Sequence, residues 1–152
     1  MSRLGHVLLV EDNLNDIELT TTALKQNNLV NEIVVARHGG EALDYLYRRG
    51  KFEGRPGGNP LVILLDLKMP KVDGLEVLRQ MKADAALKVI PVVMLTSSRE
   101  ETDLVKSYHL GTNAYVVKPV GFQEFTDAIR QLGMFWAVLN EPPPEAKGGQ
   151  PS

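Results

Sequence analysis

A chain of 152 residues is long enough to bury one core without covalent staples. With no cysteine it has no disulfide framework, no thiolate-bound metal and no thiol nucleophile, and a formal net charge of -2 gives no global attraction for nucleic acid or an anionic membrane surface. No apolar run reaches bilayer length, and the opening MSRLGHVLLVED meets acid too early for a secretory signal, so the expectation is a soluble, cytoplasmic protein.

The first element is an apolar run, His6 to Val10, that stops on Glu11-Asp12. Runs of this kind, short and without alternation, predict strands covered on both faces. Asn13 or Asn15 can cap a following helix with Leu14, Ile17 and Leu24 inward and Lys25 near its end. Glu32 to Ala36 predicts a second strand. Gly40 to Arg49 predicts a helix with Leu43, Leu46 and Tyr47 inward, stopped by Gly50. Lys51 to Pro60 is rich in glycine and proline and reads as a locally basic loop.

Leu61 to Leu65 is the most apolar strand of the chain, and it ends on Asp66. After the breaker Met69-Pro70-Lys71, Asp73 to Ala83 predicts a helix with Leu75, Leu78 and Met81 on one face. Pro91 to Leu95 is a fourth strand, ending on Thr96. Ser98 and Glu101 have the form of a capping box for a helix reaching Leu110, with Gly111 as its stop. Ala114 to Val117 is a fifth strand, ending on Lys118-Pro119. The last helix starts near Gly121 with a stripe of Phe122, Phe125, Ile129, Leu132, Trp136 and Leu139. Residues 1–139 are expected to form one domain and 140–152 a disordered tail.

Strands alternating with helices predict an α/β fold, a doubly wound five-stranded parallel sheet with helices on both faces. The carboxyl ends of parallel strands lie on one edge, so Glu11, Asp12, Asp66, Thr96 and Lys118 should converge. Carboxylates gathered this closely repel unless a cation joins them, and a hard divalent ion such as Mg²⁺ or Mn²⁺ suits all-oxygen ligands. A carboxylate can also attack phosphorus to give an acyl phosphate, with the lysine and the threonine hydroxyl placed for the phosphoryl oxygens.

These residues, Glu11-Asp12, Asp66 in LLDLKMPKVDG, Thr96 in MLTS and Lys118-Pro119 in YVVKP, resemble the receiver domain of two-component response regulators, with strand order 2-1-3-4-5. The resemblance covers Val7 to Leu139. It implies that Asp66 accepts a phosphoryl group from a histidine kinase. It implies metal ligation by Asp12 and Asp66, a direct or water-mediated contact from Glu11, and a contact from the backbone carbonyl of Lys68. It also implies that Thr96 and Tyr115 are a switch pair, that Lys118 binds phosphate and that the bond to Pro119 is cis.

The long loop Lys51 to Pro60 and the C-terminal GMFWAVLNEPP are similar to single-domain regulators of bacterial phytochrome histidine kinases, which implies a photoreceptor kinase as partner. The run Met134 to Leu139 has no polar residue and needs cover. A homodimer is therefore expected through the fourth helix, fifth strand and fifth helix, with Phe122, Phe135, Trp136 and Leu139 on its face. An aspartate-nucleophile phosphatase of the haloacid dehalogenase type is the alternative; it wants an acid two residues after the nucleophile, where this chain has Lys68. A phosphate-independent interaction domain is the other.

Overall fold

The computed structural model describes residues 5–25, 32–112 and 114–134. Strands β1 (His6–Val10), β2 (Glu32–Ala36), β3 (Val62–Asp66), β4 (Val92–Thr96) and β5 (Ala114–Val117) pair in parallel in the order β2-β1-β3-β4-β5. Between and after them run α1 (Leu14–Lys25), α2 (Gly39–Tyr47), α3 (Gly74–Lys82), α4 (Arg99–Ser107) and α5 (Phe122–Gln131). The expected α/β architecture and strand order are those observed.

The central strands lack alternation because both of their faces are covered. Leu8, Val10, Ile63, Leu65 and Met94 join Leu43, Leu46, Leu78 and Met81 in one core. Val7, Leu9, Leu64, Val93 and Leu95 join Leu24, Phe125 and Ile129 in the other. The register sets Val10 beside Leu65, Asp66 beside Leu95 and Thr96 beside Val117, so the strand ends form one continuous edge.

Several expectations shift. β3 and β4 each run one residue later than expected, so Asp66 and Thr96 are the last residues of their strands and not the first of their loops. Asn13 is the cap of α1, its Oδ1 accepting from the Asp16 amide at 2.9 Å. Leu14 is not inward: it is 65% exposed, because the first turn of α1 stands past the last paired residue of β1, and burial falls to Thr20 and Leu24. α2 ends at Tyr47 rather than Arg49. Arg48 takes the left-handed conformation (φ 55°) and turns its amide back to the Asp44 and Tyr45 carbonyls, so the helix closes before Gly50.

The far ends of the last two helices are corrected in the same way. α4 stops at Ser107, with Tyr108 as its cap and His109 left-handed (φ 53°), two residues ahead of Gly111. α5 ends at Gln131. Gly133 (φ 73°) donates to the Arg130 carbonyl at 3.0 Å and Met134 to the Ile129 carbonyl at 2.9 Å, a paired bond that closes the helix after Leu132. Phe135, Trp136 and Leu139 lie outside the described residues, as does the tail.

Gly74 opens α3 directly beneath the end of β3. A β-carbon there would overlap the Asp66 carbonyl, and the Gly74 amide donates to the Leu67 carbonyl at 2.8 Å. Only glycine lets α3 dock this close, so the segment LKMPKVD is drawn into a tight loop over the strand end.

Candidate functional site

Four of the five strands bring functional groups to the edge. Asp66 ends β3 and is 4% exposed. The Glu11 amide donates to the Ala36 carbonyl at 3.0 Å, which carries the sheet one residue past β1 and keeps the Glu11 side chain buried. Asp12 follows, half-buried. Carboxylate oxygens of Glu11, Asp12 and Asp66 lie within 4.8 Å of one another. From β5, Lys118 is fixed by its amide, which donates to the Thr96 carbonyl at 2.7 Å, and its bond to Pro119 is cis.

The Lys118 ammonium lies 3.0 Å from Asp66 Oδ1, 3.3 Å from Glu11 Oε1 and 3.2 Å from Asp16 Oδ2. One cation thus faces a surplus of carboxylates. Burial, and then the charge of Asp66, push Glu11 up to about 7. Burial also raises Asp66, against the pull of the Lys118 hydrogen bond and charge. Burial by itself would lower Lys118; the carboxylates of Asp66, Glu11 and Asp16 outweigh it and raise the ammonium's pKa. The shifts of Glu11 and Asp66 both favour the protonated carboxyls, which a divalent cation would oppose. Three oxygen donors at this spacing, with no nitrogen or sulfur ligand among them, fit a hard divalent ion.

The other expected residues are differently engaged. Lys68 is exposed in the loop after β3, and its ammonium pairs with Glu101 Oε2 at 3.0 Å. Thr96 is fully buried, its hydroxyl 2.8 Å from Thr102 Oγ1. Tyr115 is half-buried; its hydroxyl donates to the Thr112 carbonyl at 3.2 Å, and the Lys106 ammonium stands 5.2 Å from its ring centre. Phe122 is half-buried at the start of α5. Sequence reasoning missed Asp16, Thr102 and Gly74. Asp16 had a signal, since it follows Asp12 by four residues on a helix that starts beside the site.

Comparison with known proteins agrees with this geometry. Residues 7–130 match the response regulator receiver domain. Response regulator Rcp1 of Synechocystis sp. is 38% identical over 130 residues, which cover 86% of this chain and 87% of Rcp1. The structure of the Mn²⁺-bound form of Rcp1 superposes with a TM-score of 0.70, covering 88% of this chain and 94% of that one. The bacteriophytochrome response regulator AtBRR is 64% identical with a TM-score of 0.87, covering 92% of this chain and all of its own. The phosphorylated cyanobacterial phytochrome response regulator RcpA is 38% identical with a TM-score of 0.71, covering 89% of this chain and 94% of its own. With its strand order, its acidic edge and these matches, the chain belongs to the response regulator receiver domain family and is related to the phytochrome response regulators.

Proposed function

We propose that Asp66 is the phosphoacceptor of this regulator, taking a phosphoryl group from a histidine kinase of the phytochrome type. The observation that carries the reading is the Asp66 carboxylate at a strand end, 3.0 Å from a lysine ammonium and inside a three-carboxylate cluster. Mg²⁺, or Mn²⁺ in its place, would be held by Asp12, Asp66, the Lys68 carbonyl and, directly or through water, Glu11, and would neutralise charge on the transferring phosphoryl group.

The chain's own groups supply the rest. An Asp66 oxygen bonds to phosphorus as the bond from phosphorus to the donor's imidazole nitrogen breaks, and the imidazole takes up a proton as it leaves. The Lys118 ammonium, already on Asp66, is placed to bind a phosphoryl oxygen, and burial strengthens that contact relative to water. The Thr96 hydroxyl is the second donor, and Tyr115 moves inward as Thr96 turns. Asp66 turns over its own phosphoryl group, with no separate substrate. The lysine two residues past the acceptor argues against a dehalogenase-type phosphatase, which wants an acid there.

The output is a protein contact. Leu104, Tyr108 and Val117 expose apolar surface on α4 and β5, which supports a homodimer through α4, β5 and α5. Residues 1–139 act as one cytoplasmic receiver domain with 140–152 as its tail. No helix among the described residues is long and apolar enough to cross a membrane.

Incubation with Mg²⁺ and a small acyl phosphate should add the mass of one phosphoryl group, and Asp66→Asn should abolish the gain. A folded wild-type protein that gains nothing refutes the reading. A kinetically preferred transfer from a non-photosensory kinase alone would refute the phytochrome assignment.

A further inference from the structure

The Thr96 hydroxyl already has a partner. Thr102 Oγ1, on the first turn of α4, stands 2.8 Å away, and both residues are buried. The Thr102 hydroxyl in turn donates to the Ser98 carbonyl at 3.3 Å. A hydroxyl has one proton to give. With the Thr102 proton on the Ser98 carbonyl, Thr102 Oγ1 is left to accept that of Thr96.

The preceding residue on the same turn is also tied down. Glu101 accepts from the Ser97 amide at 2.8 Å through Oε1 and holds the Lys68 ammonium through Oε2. The two ties differ in weight. The Lys68 ammonium is mostly exposed, and such an ion pair contributes little. The Thr96–Thr102 bond lies out of water, where a hydroxyl left without a partner is costly.

We infer that Thr102 is a latch: it holds the Thr96 hydroxyl in a resting orientation, and its release transmits phosphorylation of Asp66 to α4. The inference rests on the phosphoacceptor reading of Asp66. When Thr96 turns to a phosphoryl oxygen, its O–H···O bond to Thr102 breaks and a charge-assisted one forms. Thr102 keeps its donation to the Ser98 carbonyl and loses only an incoming bond, so no buried donor is orphaned. The two positions of Thr96 differ by one hydrogen bond exchanged for another, which keeps the step reversible. Thr102 is thus a positioning residue, acting through Thr96 on the helix that carries Leu104 and Tyr108.

The test is the affinity for beryllofluoride, a phosphoryl mimic, in the presence of Mg²⁺. Thr102→Val keeps the side chain's shape and removes the acceptor, so resting Thr96 loses its partner and the mimic should bind about fivefold to tenfold more tightly. Thr102→Ser restores the hydroxyl and should return the affinity to the wild-type value. A merely structural defect would weaken binding, not tighten it. Should Thr102→Val not fold, Thr102→Ala removes the same acceptor. In the wild type, proton NMR should show a slowly exchanging Thr96 hydroxyl close to the Thr102 methyl group, and that contact should vanish on adding the mimic. Unchanged or weaker binding in a folded Val or Ala variant, or a contact that persists with the mimic bound, overturns the latch. A wild-type protein that binds no mimic and gains no phosphoryl group overturns the reading of Asp66 instead.

Discussion

Lys118 is the residue on which the site's charge balance turns, because among the described residues it is the ammonium shared by Asp66, Glu11 and Asp16. Removing it has two opposed consequences. Lys118→Met should slow phosphorylation by acyl phosphate about a hundredfold, the usual effect of losing one charge-stabilising donor. The same variant should bind Mg²⁺ more tightly, since a competing cation has gone from the carboxylates. Calorimetry and phosphorylation rate, measured on one preparation, should therefore move in opposite directions; a parallel loss of both would mark Lys118 as structural. Glu11 gives a pH signature. Its folded pKa of about 7 lies above its ordinary 4.5, so the folded protein keeps a proton that the unfolded chain has lost. This group's contribution to stability is accordingly present at low pH and withdrawn as pH rises from about 4.5 to about 7. Mg²⁺ should raise the melting temperature of the protein more at pH 8 than at pH 5, and Glu11→Gln should flatten that difference.

Among the elements, the connection from β3 to α3 depends on Gly74, whose missing side chain lets the helix rest on the Asp66 carbonyl. Gly74→Ala should destabilise the fold by about 1–3 kcal/mol, as forced overpacking does, visible as a lower denaturant midpoint. It should also slow phosphorylation by displacing Asp66, even at temperatures where the variant is fully folded. The end of α4 predicts a change of opposite sign. His109 holds a left-handed backbone (φ 53°) that suits glycine, so His109→Gly should stabilise by up to about 1 kcal/mol. The helix ends are also where sequence reasoning erred most. Arg48, His109 and Gly133 ended helices that propensity and a continuing apolar pattern would have carried on. Gly50 and Gly111 were read as the stops because glycine adopts positive φ freely, and both do adopt it. Nothing local showed that Arg48 and His109 would do so first.

At the scale of the molecule, the exposed Leu104, Tyr108 and Val117 place apolar surface on the face formed by α4 and β5. Sedimentation or scattering with Mg²⁺ and beryllofluoride should give a dimer at high micromolar concentration, and Leu104→Glu should return it to a monomer. A monomer throughout would remove the dimer face from the proposal. This face begins with the helix that Thr102 ties to Thr96, so phosphorylation and assembly share one element.

The sequence by itself determined the sheet and which groups end its strands. Five short apolar runs without alternation predict strands, and parallel strands joined by helices bring their carboxyl ends to one edge. Glu11, Asp12, Asp66, Thr96 and Lys118 were therefore legible from where the runs stopped. Only the tertiary structure decided which of them touch. Asp16 reaches Lys118 across 102 positions of chain, and the hydroxyl of Thr96 is turned to Thr102. Those contacts depend on side-chain direction and on how far each helix stands above the sheet edge. Such quantities follow from packing between elements, and no periodicity within a single element encodes them.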